Sequence, residues 1–329
     1  MPVALSILDL APIAPGRSAR DSFAASVELA LAAERGGYRR VWYAEHHNMP
    51  TIASSATSVL IGHVAHHTDS IRLGAGGVML PNHAPLVIAE QFGTLETLFP
   101  GRIDLGLGRA PGTDRPTMRA IRRDQTSAES FPDDVLELQG YLRGDSRVAG
   151  VQAVPRAESA VPLYLLGSSL FGAQLAARLG LPYAFASHFA PDALHEAVAA
   201  YREQFEPSDQ LDEPYVIAGV NVFAAEDRDE AEAQRRIAYR NRTRAFIKRG
   251  QGGSDYTDEE IDAFLESPNG QQLAAMTKYT AAGTPDEVRA FLADFAASAR
   301  ADELITAHPA EQVADRIRSV ELTAKAMTD

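Results

Sequence analysis

The stretch from Gly101 to Thr113 combines the residue types that bind phosphate at the end of a strand. It reads Gly-Arg-Ile-Asp-Leu-Gly-Leu-Gly-Arg-Ala-Pro-Gly-Thr, and its apolar part predicts a strand over Ile103–Leu107. The glycines allow the backbone to approach a ligand closely, and Arg109 offers a forked cation suited to phosphate oxygens. A glycine-rich turn after a strand is also common without a ligand, so this stretch alone leaves both interpretations open.

A second stretch points to the same chemistry. A predicted strand, Leu163–Leu166, leads through a turn containing Ser168 and Ser169 directly into a predicted helix at Gly172–Leu179. Free amides, hydroxyls and the helix dipole would face an anion together there, although either serine could be an ordinary N-cap. With Arg109 on the preceding strand, the pattern predicts a phosphate site between the fourth and fifth strands.

Strand-length apolar runs alternate with helical patterns along the chain, which is typical of a parallel sheet in an α/β protein. The eight predicted strands are Val3–Leu8, Arg40–Tyr43, Ile71–Leu80, Ile103–Leu107, Leu163–Leu166, Tyr183–Ala186, Tyr215–Phe223 and Glu303–Thr306. Eight such units favour a closed (β/α)8 TIM barrel over an open doubly wound sheet, with its active site at the carboxyl ends of the strands. We predict one domain over residues 1–329.

Two longer segments interrupt this rhythm. Thr113–Val161 is a predicted insertion after strand four that covers the barrel mouth, and Gly250–Gly270 is a predicted mobile segment between strands seven and eight, either a lid or a disordered loop. The polar residues that follow the strands should converge at one mouth: Asp9, Glu45, His46, His47, Asn48, Asn82, His83, Arg109, Ser168, Ser169, Ser187 and His188.

Composition narrows the function classes. The 329 residues carry 31 basic and 44 acidic side chains, a formal charge of −13, which disfavours nucleic acid or an anionic membrane as the main partner. Cysteine is absent from the sequence, which excludes disulfides and thiolate chemistry. A signal segment and a long apolar run are also missing, so we expect a soluble, cytoplasmic protein.

Four stretches in the right order resemble the bacterial luciferase-like flavin monooxygenases, in particular their FMN-type, uncharacterised luciferase-like branch. They are Val-Trp-Tyr-Ala-Glu-His-His-Asn (41–48), Leu-Gly-Ala-Gly-Gly-Val-Met-Leu-Pro (73–81), the arginine-containing stretch (101–114) and Leu-Leu-Gly-Ser-Ser with its helix (165–177). The resemblance covers nearly the whole chain. Gly108 stands where luciferase has a reactive cysteine, so luminescence is not implied.

The resemblance implies a role for seven residues. His46 is the expected catalytic residue, and the expected cofactor-binding residues are Gly76 and Gly77 at a cis peptide under the flavin, with Arg109, Ser168, Ser169 and Gly172 at its phosphate. It also implies that a separate NAD(P)H:flavin reductase supplies reduced FMN, that O2 and this flavin oxygenate a small organic substrate, and that the protein is a homodimer.

Other functions stay open at this point. The chain could be a non-catalytic flavin-binding protein of the same fold, or an oxidoreductase that uses the deazaflavin F420. A metal-dependent hydrolase is a further alternative, because His63 and His67 lie four apart on a helix and could hold zinc. Glu45, His46 and His47 could also suggest a metal, but adjacent residues on a strand point to opposite sides. We therefore expect no metal site.

Overall fold

The computed structural model describes residues 3–110, 113–251 and 256–328. Its strands are β1 (Ala4–Asp9), β2 (Arg40–Tyr43), β3 (Arg72–Met79), β4 (Ile103–Gly108), β5 (Leu163–Gly167), β6 (Tyr183–Phe185), β7 (Val216–Ala224), β8 (Thr280–Gly283) and β9 (Glu303–Ala307). Its helices are α1 (Ala19–Arg35), α2 (Thr57–Ala65), α3 (Pro85–Leu98), α4 (Arg115–Ala120), α5 (Phe131–Arg143), α6 (Leu170–Leu179), α7 (Leu194–Glu203), α8 (Arg228–Gln251), α9 (Asp258–Glu266), α10 (Pro268–Ala275), α11 (Pro285–Ala299) and α12 (Val313–Thr328). Two single-turn 3-10 helices cover Leu80–Asn82 and Gln125–Ala128.

Eight parallel strands close into a TIM barrel in the order β1, β2, β3, β4, β5, β6, β7, β9 and back to β1. This confirms the predicted fold class. The structure adds a short strand that the sequence analysis missed: β8 pairs in parallel with the far end of β7, where Asn221 faces Thr280 and Ala224 faces Gly283. The predicted eighth strand is therefore β9.

Local sequence explains where several outer helices begin. The Ser18 hydroxyl accepts a hydrogen bond from the Asp21 amide, and the Asp21 carboxylate accepts one from the Ser18 amide. The same reciprocal capping box starts α9 at Thr257 and α11 at Thr284. Each box satisfies amides that the first helical turn leaves unpaired.

Strand residues alternate between two cores. The larger core lies between the barrel wall and the helices, and includes Ile7, Val41, Tyr43, Leu105 and Leu304. The smaller one fills the barrel and consists of Leu8, Trp42, Ala44, Tyr164, Ala184, Ile217 and Ile305. Because successive strand residues face opposite sides, Leu8 inside places Asp9 outside.

The amino end of the barrel is closed by an ion cluster around Arg40. Its guanidinium lies 2.8 Å from Asp104 Oδ2 and 3.0 Å from Glu303 Oε1, and all three side chains are fully buried. Arg40 also donates a 2.6 Å hydrogen bond to the Tyr164 hydroxyl, while the Trp42 indole donates to Asp104 at 3.1 Å. Burial alone would lower the pKa of Arg40, but the charges of Glu303 and Asp104 raise it, so Arg40 keeps its positive charge.

The insertion after β4 and the segment between β7 and β8 both contain helices. The insertion after β4 contains α4 and α5. In the expected mobile segment Gly250–Gly270, residues 252–255 lie outside the described residues, and the part from 256 onward forms α9 and the start of α10. Within the described ranges, no helix combines the length and the apolar character needed to cross a membrane.

Candidate functional site

Arg109 follows β4 at the carboxyl end of the barrel, and its side chain reaches the first turn of α6. The guanidinium carbon lies 4.0 Å from the centre of the Phe171 ring, in a cation–π arrangement. Arg109 is exposed, and its contact among the residues that the structure describes is with the Phe171 ring. The sequence analysis did not identify Phe171, because it predicted the helix to begin at Gly172, whereas α6 begins at Leu170.

The N-terminus of α6 begins at the Gly-Ser-Ser turn after β5. Ser169 is the N-cap residue with extended backbone (φ −148°), yet among the described residues its hydroxyl bonds to no amide of the first turn. The Tyr183 hydroxyl donates a 3.0 Å hydrogen bond to the Ser169 carbonyl oxygen and so holds the turn from behind. Ser168 and Ser169 are exposed beside these amides, whereas Gly172 is buried against Tyr183. The turn therefore presents amides and hydroxyls to solvent on the side of Arg109.

Glu45, His46 and His47 follow β2, and their side chains lie on two sides of the backbone. Glu45 and His47, two residues apart, lie together, because His47 Nε2 is 2.7 Å from Glu45 Oε1. His83 joins them from the segment after β3, with Nε2 at 2.9 Å from the same oxygen. Glu45 also accepts hydrogen bonds from the Met79 amide at 3.0 Å and the Asn82 side chain at 3.4 Å. His46, between Glu45 and His47, is half-buried.

These contacts set the protonation of the cluster. Burial alone would raise the pKa of Glu45, but hydrogen bonds from His47 and His83 and from the Met79 amide outweigh it and hold that pKa at about 2. The hydrogen bond to Glu45 raises the pKa of His47 above its ordinary value. Glu45 is therefore a buried, ionised carboxylate at neutral pH.

Gly76 and Gly77 lie buried in β3, and the peptide bond between them is cis. The Glu45 amide donates a 3.2 Å hydrogen bond to the Gly77 carbonyl oxygen. A Cβ on Gly76 would lie 2.8 Å from the Trp42 Cβ, and one on Gly77 would lie 2.8 Å from the Gly106 carbonyl oxygen. No side chain fits at either position, so the backbone itself forms the surface above the inner core.

His188 follows β6 and packs on the opposite wall. A Cβ on Gly219 would lie only 2.3 Å from His188 Nδ1. The imidazole fits there because Gly219 has no side chain. Burial, helped by the positive charge of Arg242 and by His46, lowers the pKa of His188 to about 4 and keeps it neutral. Arg242, which lies on α8, is not among the residues that the sequence analysis named.

One residue that the sequence analysis placed at the mouth does not lie there. Asp9 accepts hydrogen bonds from the Ala11 amide at 2.8 Å and from the Ser26 hydroxyl on α1 at 2.5 Å, so it lies outside the barrel wall. The expectation that it converges with the others is wrong, because it continues the alternation of β1.

The alternative zinc site on the helical histidines loses one ligand atom to the backbone. His67 Nδ1 donates a 2.8 Å hydrogen bond to the His63 carbonyl oxygen.

A cavity of about 340 Å³ adjoins the mouth beneath the insertion. Its walls come from the segment after β3, from α4 and from the second 3-10 helix, and are formed by Pro81, Asn82, Thr113, Arg115, Met118, Arg123, Asp124, Ser127 and Ala128. The insertion therefore lines a space of ligand size together with Pro81 and Asn82 of the segment after β3.

Comparison with known proteins gives a family. The family model described as luciferase-like monooxygenase matches residues 3–324. The chain is 54% identical over 254 residues to a luciferase-like monooxygenase of Escherichia coli, covering 76% of this chain and 75% of that protein. It is 32% identical over 333 residues to the N-acetyl-S-alkylcysteine monooxygenase of Bacillus subtilis, covering 99% and 98%.

Solved structures agree with this assignment. Apo-MsnO8 superposes with a TM-score of 0.88 at 36% identity, over 99% of this chain and 98% of the other. The oxygenating constituent of 3,6-diketocamphane monooxygenase from Pseudomonas putida, in complex with FMN, has a TM-score of 0.74 at 17% identity over 99% and 97%. An F420-dependent secondary alcohol dehydrogenase reaches 0.74 at 15% over the full length of both chains, so these two distant matches show the shared fold alone. On the family match and the close relatives, the chain belongs to the luciferase-like monooxygenase family.

Proposed function

We propose that this protein is an FMN-dependent monooxygenase that uses reduced flavin and O2 to oxygenate a small organic substrate. The observation that carries the proposal is the pairing of a cation with a helix N-terminus at one corner of the barrel mouth. Arg109 stacks on Phe171 at the start of α6, and no carboxylate among the described residues neutralises it. An exposed cation beside the first-turn amides of a helix binds a phosphate dianion well.

The surrounding residues fit the rest of the cofactor. Ser168 and Ser169 would donate their hydroxyls to the phosphate, while Gly172 supports the turn by packing on Tyr183. The flavin ring would lie over Gly76 and Gly77, where any side chain would collide with neighbouring atoms. An aromatic ring needs such a flat backbone surface if it is to approach the barrel closely.

Bound reduced FMN supplies the electrons that activate O2 for transfer of one oxygen atom to the substrate. The protein would position the flavin and the substrate, exclude water from the site and control the transfer of protons. We assign His46 the proton transfer at the reacting centre, since an imidazole can act both as a proton donor and as a proton acceptor. Neutral His188 would face it without adding a competing charge.

The proposal extends to the partners of the reaction. We propose that a separate NAD(P)H:flavin reductase delivers reduced FMN in transient encounters, that residues 1–329 form one domain, and that two copies form a homodimer. The substrate would enter under the insertion, whose α4 and second 3-10 helix line the 340 Å³ cavity.

Binding is tested by titrating FMN against the protein and following flavin fluorescence, in the oxidised and in the reduced state. We expect saturable binding, and a loss of about tenfold or more in Arg109→Ala, roughly 1.4 kcal/mol for a charge-assisted phosphate contact. Arg119→Ala is the matched control, because it removes an exposed arginine from a different element, α4, and should leave affinity unchanged.

The same titration with F420 separates the two cofactors. Absence of FMN binding together with tight F420 binding would overturn the FMN assignment, and absence of both would overturn the flavin proposal altogether. If Arg119→Ala weakens FMN binding as much as Arg109→Ala does, the effect is general electrostatics and the phosphate corner is wrong.

Catalysis is tested with a flavin reductase, NADH and isotopically labelled O2 over a panel of small organic substrates. The monooxygenase should transfer one labelled oxygen atom to a substrate, and a non-catalytic flavin-binding protein should transfer none. His46→Asn should lower this transfer while retaining the affinity for FMN. Loss of flavin affinity in that variant would place His46 among the cofactor-binding residues instead.

A further inference from the structure

We propose that Glu45, His47 and His83 bind a divalent transition-metal ion beside the barrel mouth. The three side chains come from two strand ends, and their ligand atoms all lie within 4.8 Å of one another. The sequence analysis expected no metal here. It considered Glu45 with its two neighbours, and could not see that the chain after β3 brings in a second imidazole.

The geometry converges on one carboxylate. His47 Nε2 lies 2.7 Å from Glu45 Oε1, and His83 Nε2 lies 2.9 Å from Oε1 and 3.0 Å from Oε2. Both imidazoles therefore direct the same ring nitrogen to the same group. An ion with bonds of about 2.0–2.2 Å to each of these atoms needs only small adjustments of the side chains.

The local chain explains the convergence. Residues 44–47 extend beyond β2, so Glu45 and His47 share a side and His46 takes the other. After β3, a single 3-10 turn over Leu80–Asn82 reverses the chain and returns His83 towards Glu45. The carboxylate is 1% exposed, whereas the two imidazoles remain partly open to solvent, which leaves an entry path for an ion.

Outer contacts fix the carboxylate before any ion arrives. The Met79 amide donates to Glu45 Oε2 at 3.0 Å, and the Asn82 side chain donates to Oε1 at 3.4 Å. Such second-layer hydrogen bonds orient the ligands of metal sites. A bound ion would replace the protons that now lie between each imidazole and Glu45, and each imidazole would then carry its proton on Nδ1.

Two imidazoles and one carboxylate define the class of ion. This donor set suits Zn²⁺, Fe²⁺, Co²⁺ or Ni²⁺, with water completing the coordination, and is a poor match for Ca²⁺ or Mg²⁺. The ion would tie the end of β2 to the segment after β3, on the opposite side of the backbone from His46. Its role would be to hold that segment in place, so metal binding should raise the unfolding temperature.

The experiment uses full-length protein treated with a chelator and then dialysed free of it. Addition of Co²⁺ should give the visible absorption of a protein-bound ion at one equivalent, and Zn²⁺ should displace it. His83→Gln and His47→Gln should each weaken Co²⁺ binding by at least about tenfold, the lower bound for disturbing a metal site. The paired control His63→Gln/His67→Gln alters the helical histidines, which could bind Co²⁺ independently, and should retain the absorption.

Each outcome decides the proposal, and none depends on flavin binding or activity. Absence of Co²⁺ binding by the wild-type protein overturns it, as does binding that is lost only in His63→Gln/His67→Gln. Thermal unfolding of the metal-free variants checks that they fold. If His83→Gln is unfolded, then His47→Gln carries the test alone, and full Co²⁺ affinity in a folded His47→Gln protein overturns the site.

Discussion

The two ends of the barrel hold arginines in opposite circumstances. Arg40, at the amino end, is fully buried and lies within 3.0 Å of both Asp104 and Glu303. Arg109, at the carboxyl end, is exposed, and its contact in the described part of the chain is the face of Phe171. The first arginine is satisfied by the protein itself, and the second has its charge available for a ligand.

This difference separates stability from function within one fold. A buried charge without its partners costs several kcal/mol, so Arg40 and its carboxylates must form together with the barrel. A solvated charge costs little to leave unpaired, so the exposed guanidinium of Arg109 is compatible with a stable fold. The closed end therefore holds the barrel together, and the open end is where binding residues accumulate.

The largest predicted effect comes from breaking the closed end. Arg40→Met leaves Asp104 and Glu303 buried without their central cation, and should lower the free energy of unfolding by about 3–5 kcal/mol. Urea denaturation measures this loss. Arg39→Met is the control, because the Arg39 side chain is 50% exposed and should cost less than about 1 kcal/mol. Equal losses in the two variants would contradict a special role for burial.

Strand β4 runs from the closed end to the mouth, and two of its glycines sharpen the comparison. A methyl group on Gly106 would lie 2.3 Å from the Ala75 carbonyl oxygen, whereas one on Gly108 would meet the flexible Met79 sulfur at 2.9 Å. We expect Gly106→Ala to cost about 1–3 kcal/mol by overpacking. Gly108→Ala should cost less, because a methionine side chain can move aside. Thermal unfolding of both variants gives the order.

Acid should destabilise the protein through its buried histidines. Burial lowers the pKa of His188 to about 4, and burial next to Arg316 lowers that of His308 to about 3. In the unfolded chain both imidazoles titrate near pH 6.5. Between pH 6.5 and the folded pKa the unfolded state therefore binds more protons than the folded state, and the free energy of unfolding decreases as the pH decreases. Each contributes at most about 1.4 kcal/mol per pH unit. The slope of unfolding free energy against pH should be smaller in His308→Gln; an unchanged slope would refute the assignment.

The smallest predicted effect on stability belongs to the mouth. Arg109→Ala should change the free energy of unfolding by less than about 0.5 kcal/mol, since it removes one exposed cation. Denaturation in the absence of flavin measures this. A loss comparable with that of Arg40→Met would mean that Arg109 is structural, and the contrast between the two ends would fail.

The sequence was sufficient for the barrel, and it also placed Arg109 and the Ser168–Ser169 turn on neighbouring strands, because both features depend on short stretches of sequence. Apolar runs of strand length define β1 to β7 and β9, and Arg109 and the Ser168–Ser169 turn follow directly on their strands. The sequence analysis did not predict strand β8, because Thr280–Gly283 is short, rich in alanine and paired with the end of β7. Its position depends on a neighbour, not on its own composition.

Long-range pairing explains the other omissions. Arg40 meets partners 64 and 263 residues away, and the sequence between them carries no sign of the encounter. Glu45 and His83 are likewise separated in sequence, and it is the turn after β3 that brings His83 within hydrogen-bond distance of Glu45. Asp9 was misplaced for a different reason: the strand alternation already assigned it to the outer face, because Leu8 points inward.

The most direct test of the central claim compares FMN with riboflavin, which lacks the phosphate, in wild-type protein and Arg109→Ala. The account predicts that the wild type binds FMN at least about tenfold more tightly than riboflavin, corresponding to about 1.4 kcal/mol. It also predicts that this preference nearly disappears in Arg109→Ala, whose affinity for riboflavin stays unchanged. If Arg109→Ala retained the wild-type preference for FMN, or lost affinity for both ligands equally, the cofactor's phosphate would not lie at Arg109.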